Sequence, residues 1–544
     1  MSEKVKQSYL GGAALLAATV AIVKVVGFFY KIPLYNLLGD EGTTHFQVTY
    51  TIYNLLLTIS TAGIPVALSR LISSARATGR TAQVKRLFSM GLATFVPVGL
   101  AGTLLMLLFP QQLANMMGDP EIPLGIQVLA PAVLFICIVS VYRGYAQGHS
   151  YMTPTAVSQI IEVVCKLVIG LAIAWVLLSR GADSATVSAG AITGVTIGIF
   201  LSIPVMMWYK SSLDRRMKYP SNPRDKADGR RATVKQILTI GIPVTLASSV
   251  MTIITLIDTR LVLQRLQTGA GFDFETAKVL YGVYSKGLSL FNLPAAFITP
   301  ITVAVVPAIA GALARRDSRE AKTVMESSLK VTNMLALPAG VGLSVLAYPI
   351  FTVLFPDSNE NGPRLLMYLG IASYFVCTYL ITNAILQANG NERLALVTLP
   401  LGGAVKIIVN WVLVGNPNIG ITGAPIGTLC CYTFITALNL IFINRKVRQK
   451  PSFLKSFIMP AICTIIMGAA AWASYGLISR AGSALLGTER FATAIYMVAS
   501  IGIAVVIYGI MIIVTGTVTT KDMELIPKGD KIGRLLHVRR AGKH

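Results

Sequence analysis

The segment YAQGHSYMTPTAVSQIIEVVCKLVIGLAIAWVLL (145–178) recurs in altered form as ILQANGNERLALVTLPLGGAVKIIVNWVLV (385–414). Each holds a polar turn followed by an apolar run long enough to cross about 30 Å of hydrocarbon. Each also keeps one lysine near the middle of that run. Gln147 lies nineteen residues before Lys166, and Gln387 lies nineteen before Lys406. A second pair keeps nearly the same offset: IPVALSRLISSARATGRTAQVKRLF (64–88) and VPAIAGALARRDSREAKTVMESSLK (306–330). In both, a proline precedes a small-residue helix end and a basic amphipathic stretch. Two segments at one offset argue for a chain built of two halves. An even spacing of six helices gives the halves one orientation, so they read as parallel repeats about an axis along the membrane normal. Transporters built this way hold substrate near the midplane, between the halves.

Outside these segments the pattern continues. Of 544 residues, 54% are hydrophobic and 13% charged, where a soluble domain carries about 25% charge. A soluble enzyme, a disulfide scaffold and a disordered chain are excluded. Membrane helices are expected at about 10–31, 46–69, 87–109, 122–148, 152–178, 184–208, 236–264, 279–313, 331–355, 365–387, 394–414, 418–443, 456–478 and 491–516. The expected fold class is an all-α polytopic membrane protein of fourteen helices, two pseudo-symmetric six-helix lobes plus two C-terminal helices. The lobes are 1–232, including a basic linker, and 233–444; residues 445–544 hold the last two helices and a basic tail.

Charge sorting orients these helices. The N-terminus and every second connection hold 34 Lys/Arg and 11 Asp/Glu, whereas the opposite set holds 6 and 10, including Asp40, Glu41, Asp119, Glu121, Asp273 and Glu275. Lys/Arg-rich connections stay cytoplasmic, so both termini are expected there. The net charge of +24 is then a topology signal and an attraction to anionic lipid, not a nucleic-acid surface. The linker Lys210–Lys235 is its strongest instance. The first apolar run is too long for a signal peptide and lacks the small-residue cleavage site, so it reads as helix one. Six cysteines lie inside apolar runs with no C-x-x-C spacing, and His45, His149, His537 and His544 read as helix-end or loop residues. Neither a metal site nor a cofactor is expected from them.

Ionisable residues at membrane depth are costly and usually face a cavity or a partner. The cations are Lys24, Lys31, Arg143, Lys166, Arg260, Lys286 and Lys406; the anions are Glu162 and Asp258. Gln159, Glu162 and Lys166 follow helical spacing and read as one face, which makes Glu162–Lys166 an expected ion pair. Lys406 has Asn410 as its polar neighbour, which suggests a hydrated cavity. Lys31, Arg260 and Arg143 lie near enough to a boundary to snorkel; Lys24 and Lys286 sit roughly a helical turn or two below the outer surface, where snorkelling is the alternative to facing a cavity. Asp258 is a candidate for a partner charge or a coupling cation. Seven cations against two anions call for an anionic ligand, and a lipid diphosphate fits a cavity that also has apolar walls.

Three stretches resemble the polysaccharide-transport branch of the multidrug/oligosaccharidyl-lipid/polysaccharide flippase superfamily: KVVGFFYKIPLYNLLGDEG (24–42), YNLLLTISTAGIPVALSRLIS (53–73) and YSKGLSLFNLPAAFITPITVAVVPAIA (284–310). Within it the chain is most similar to MurJ-type lipid II flippases, especially the Gram-positive group with the stage V sporulation protein B relatives. The resemblance implies transfer of an undecaprenyl-diphosphate-linked peptidoglycan precursor to the outer leaflet by alternating access. It also implies a V-shaped two-lobe fold with a lipid-tail groove at helices thirteen and fourteen. The family's essential helix-one cations match Lys24 and Lys31, and its helix-eight cation matches Lys286. Ser285 stands where an acidic residue often precedes that cation, and Leu57 and Thr58 stand where a basic residue often follows N-L-L.

The expected function is therefore a non-enzymatic, monomeric flippase for an anionic lipid-linked substrate, with cell-wall synthesis enzymes as candidate partners. Lys24, Lys31, Lys286, Arg260, Lys166 and Lys406 are the candidate substrate ligands. Glu162, Asp258, Gln159 and Asn410 are candidates for tuning the cavity or coupling. The rivals are a flippase for another lipid-linked polysaccharide unit, a drug/cation antiporter and a membrane scaffold. The scarcity of intramembrane carboxylates counts against the antiporter.

Overall fold

The computed structural model describes residues 9–216, 226–487 and 489–516. Among these every regular element is helical. The central part of the basic linker, the C-terminal tail with His537 and His544, and the first eight residues lie outside the described set. The chain divides into two compact units after Leu263.

The first unit holds α1 (Tyr9–Thr61), α2 (Gly63–Ala77), α3 (Thr81–Leu108), α4 (Pro110–Met117), α5 (Pro123–Gly148) and α6 (Thr153–Cys165). α6 runs through a π turn, Lys166–Gly170, into α7 (Leu171–Ser179); α8 (Ser184–Arg216) and most of α9 (Arg230–Thr268) follow. The second unit holds α10 (Phe274–Phe291), α11 (Leu293–Ala314), α12 (Ser318–Val345), α13 (Ala347–Leu354), α14 (Gly362–Ala388), α15 (Glu392–Leu413), α16 (Gly423–Lys446), α17 (Phe453–Leu486) and α18 (Arg490–Val514).

Among the described residues twelve helices are long and apolar enough to cross a membrane, or thirteen if α12 and α13, bent by 76° to each other, form one span. Fourteen were expected. The expected connection at 32–45 is itself helical, and Ile22–Ala77 is a single apolar run of 56 residues. It is interrupted at Gly39, whose φ of 69° and ψ of −170° lie outside helical space. That φ is open to glycine and strained for other residues.

The sequence repeat has a counterpart in packing. In the first unit α5 is central and contacts α3, α8, α2 and α1; in the second, α14 is central and contacts α12, α16, α11 and α10. α6 packs on α8 as α15 packs on α16. The short helices α4 and α13, eight residues each, precede the central helix in both units. α17 packs on α12 and α18, outside this pattern.

Lipid tails offer no apolar driving force between helices, so small residues that let backbones touch take over. A Cβ on Gly63 would collide with the Gly241 carbonyl, and a Cβ on Gly194 would meet the backbone of Gly170. Outward faces are apolar: Trp472 is 72% exposed, Phe491 77% and Val514 76%. An apolar surface of this extent is matched by lipid rather than water. The protein is a multi-pass membrane protein.

At the Lys/Arg-rich end of the first unit, Asp214 gathers α5 and α8. It accepts from Tyr145 Oη at 2.6 Å and pairs with Lys210 at 2.7 Å, whose Nζ lies 4.8 Å from the Phe88 ring centroid. His149, just past α5, is buried and places Nδ1 2.8 Å from the Tyr145 carbonyl. Burial, helped by Arg76, pushes its pKa from the ordinary 6.5 down to about 4. The unfolded chain therefore takes up a proton that the folded chain refuses. Stability is full above pH 6.5 and declines as pH falls from there towards 4. We expect the melting temperature to drop across that window and His149→Gln to flatten the part between pH 6.5 and 5. An unchanged slope in the variant rules His149 out as the cause.

Candidate functional site

Phe46, Tyr50 and Tyr53 lie at helical spacing on the second half of α1. Phe46 and Tyr50 stack at 5.8 Å with 8° between their planes, and Tyr53 follows at 5.7 Å from Tyr50. Tyr35, before the Gly39 break, meets Phe46 edge-on at 6.4 Å. This aromatic column crosses the break and carries a lysine over each of two of its rings. Lys31 Nζ lies 5.8 Å from the Tyr35 centroid, and Lys166 Nζ lies 5.0 Å from that of Tyr50. Lys166 also donates to Tyr50 Oη at 2.8 Å. A cation over an aromatic face gains about 0.5–2 kcal/mol.

The expected Glu162–Lys166 ion pair does not form. Glu162 instead accepts from Arg143 Nη2 at 2.5 Å, and Arg143 Nε donates to Ser158 Oγ at 2.9 Å. The chemistry of arginine accounts for this. The guanidinium is a planar fork that can bind both acceptors at once. The 162–166 spacing itself stays α-helical, since the Lys166 backbone N–H bonds the Glu162 carbonyl and the π turn lies beyond it; Lys166 turns to the Tyr50 hydroxyl instead. Arg143 is accordingly half-buried in an ion pair between α5 and α6, not snorkelling. One turn before Glu162, Gln159 Oε1 is buried with no hydrogen-bond partner, as is Tyr30 Oη on α1.

The other candidates are more dispersed. Lys24 is exposed on α1. Asp258 is buried on α9, and Arg260 donates to the Asn115 carbonyl at 3.4 Å. That carbonyl belongs to the last turn of α4, where a cation is favoured. In the second unit Lys286 is buried on α10, with Nζ 5.6 Å from the Phe355 centroid. Ser285 beside it has a buried Oγ with no hydrogen-bond partner. Lys406 is half-buried on α15, and Asn410 is fully buried, packed so closely on Gly427 that a Cβ there would collide with Oδ1.

Three features escaped the sequence reading. Lys278, counted as a loop charge, is 1% exposed, paired with Glu275 at 2.9 Å and set 4.7 Å from the Phe274 centroid. The Phe46–Tyr50–Tyr53 face was visible in the spacing but passes for ordinary apolar packing. His45, assigned to a helix end, is buried within α1.

The model of the family described as "Polysaccharide biosynthesis protein" matches residues 10–313, more than half of the chain. The chain belongs to this polysaccharide biosynthesis protein family. Three relatives come from Bacillus subtilis (strain 168). The uncharacterized membrane protein YabM is 28% identical over 538 residues, covering 97% of this chain and 96% of its own. Stage V sporulation protein B is 24% identical, covering 91% and 95%, and lipid II flippase MurJ is 22% identical, covering 92% and 94%. Among solved structures, lipid II flippase MurJ in an inward closed conformation aligns with a TM-score of 0.67 at 16% identity, covering 92% of this chain and 99% of that one. An inward-facing MATE family multidrug resistance transporter of the MOP superfamily aligns with a TM-score of 0.61 at 17% identity, covering 78% and 97%. This member of the polysaccharide biosynthesis protein family thus shares its fold with transporters, as the three quoted stretches implied.

Proposed function

We propose that the protein is a flippase that moves an undecaprenyl-diphosphate-linked cell-wall precursor, lipid II, from the inner to the outer leaflet. The observation that carries this reading is the surplus of cations on its membrane helices. Beside the Arg143–Glu162 pair, the expected membrane runs carry Lys24, Lys31, Lys166, Arg260, Lys286 and Lys406 and one further carboxylate, Asp258. Two of them, Lys31 and Lys166, share one aromatic column in the first unit. A diphosphate supplies the missing negative charge, lysine ammonium groups bind it as point charges, and the partnerless Gln159 Oε1 is an acceptor for a sugar or peptide donor.

The fourteen-crossing topology, with both termini cytoplasmic, is part of this proposal. A straight helix of 56 residues would run about 84 Å, more than twice the hydrocarbon thickness, so the Gly39 break is read as the turn between two crossings. The bent α12–α13 pair is read as one. Transport needs a driving force, and the chain carries no G-x-x-x-x-G-K-[ST] motif. An inside-negative membrane potential favours outward movement of an anion by about 2.3 kcal/mol per charge per 100 mV.

Native mass spectrometry of the purified chain tests the reading. We expect lipid II and undecaprenyl diphosphate to be retained at collision energies that strip a neutral polyprenol, with lipid II displacing an undecaprenyl-diphosphate glycan of different headgroup. Equal retention of the neutral lipid sinks the anionic-ligand reading. Preference for the other glycan overturns lipid II as the substrate.

A further inference from the structure

Asp119 follows α4 and is fully buried, with both carboxylate oxygens engaged. Oδ2 lies 2.7 Å from His45 Nδ1, and Oδ1 accepts the backbone N–H of Glu121 at 3.3 Å. One buried carboxylate thereby orients an imidazole on α1 and the peptide that bears another carboxylate in the α4–α5 loop. With Nδ1 held, the ring turns Nε2 towards Glu41 Oε1 at 3.6 Å and Glu121 Oε2 at 3.4 Å. The three ligand atoms lie within 4.8 Å of one another. Glu41 and His45 are four residues apart, one above the other on the same helix face.

We infer that Glu41, His45 and Glu121 form a binding site for one divalent transition-metal cation, with Asp119 as its supporting carboxylate. The spacing fits such an ion. A tetrahedral centre with bonds of about 2.0–2.1 Å sets its ligands about 3.3–3.4 Å apart, which is close to the two Nε2–carboxylate distances. The donor set selects the metal. An imidazole with two carboxylates suits Zn²⁺, whereas Mg²⁺ and Ca²⁺ take oxygen ligands throughout. The Asp119–His45 contact is the usual support of a metal-bound histidine, fixing the tautomer that leaves Nε2 as the donor to the ion.

Charge points the same way. Three carboxylates surround one imidazole; a proton on Nε2 would leave two net negative charges, and a divalent ion leaves one. Side-chain exposures of 38% for Glu41 and 43% for Glu121 leave the ion reachable from solvent and a position open for water. Glu41 follows Gly39 by two residues, so the ion cross-links α1 just past its break to the α4–α5 loop, at the acidic end of the helices.

The test uses full-length, tag-free protein in detergent, stripped with a chelator and then titrated with ZnCl₂ or MgCl₂. Zinc retained after gel filtration is measured by elemental analysis, and affinity by calorimetry. We expect one zinc per chain and no magnesium. Glu41→Gln/Glu121→Gln should lose the zinc while keeping the wild-type melting temperature in chelator. Should the double variant unfold, Glu121→Gln alone, on the exposed loop, should weaken zinc binding by at least about tenfold. Absence of retained zinc in the wild type overturns the site. So does undiminished binding in the variants, and so does magnesium binding as tightly as zinc.

Discussion

Arg143→Met is expected to cost about 3 kcal/mol of stability, the low end for breaking a buried ion pair. Glu162 would be left in the α5–α6 interface without its guanidinium, and a partnerless carboxylate there is the costly species. The low end applies because the two side chains keep 12% and 19% exposure. Arg143→Met/Glu162→Gln should recover most of the loss, since the unbalanced charge is then gone. Thermal unfolding in detergent and membrane abundance report both. Lys166→Met is the discriminating control. Its partner is the neutral Tyr50 hydroxyl, so it should change the melting temperature little. If Lys166→Met is the damaging change and Arg143→Met is harmless, the pairing described here is wrong.

Removing the charge at Lys24 or Lys286 should abolish rescue of a flippase-depleted cell while leaving the protein in the membrane at normal levels. Methionine is the substitution of choice at Lys286. The residue is buried beside Phe355, and an alanine would add a cavity penalty of a few kcal/mol to the loss of charge. Lys24 is exposed, so its replacement carries little packing cost. A charge-assisted contact to phosphate is worth about 1.5–3 kcal/mol, or roughly a 10- to 100-fold loss of affinity for the diphosphate lipid at each site. Lys286→Arg keeps the charge and should retain partial rescue. Full rescue by Lys24→Met/Lys286→Met removes both residues from the mechanism, and it favours a scaffolding role over transport.

Much of the architecture was legible along the chain. The apolar runs announced a helical membrane protein because hydrocarbon admits only elements that satisfy their own backbone. The recurrence of 145–178 at 385–414 announced two related halves, and α5 and α14 have matching helical surroundings. The membrane cations were legible as well, because their cost at that depth is a property of each residue alone.

Partners were less legible. Glu162 was read with Lys166 because both lie on one helix at a favourable spacing, but its true partner, Arg143, comes from α5. The π turn at Lys166–Gly170 left no mark in composition. The same holds for the Lys31 and Lys166 seats on the aromatic column, for the buried Lys278, and for His45 between Asp119 and two glutamates.

What the sequence alone determined, then, is which segments enter the membrane, that they repeat, and which residues bring charge with them. These follow from one-dimensional quantities: transfer free energy per residue, run length and spacing. What only the tertiary structure decided is which charge meets which partner. That depends on helix-to-helix contacts and on breaks such as Gly39, which couple residues far apart in the chain.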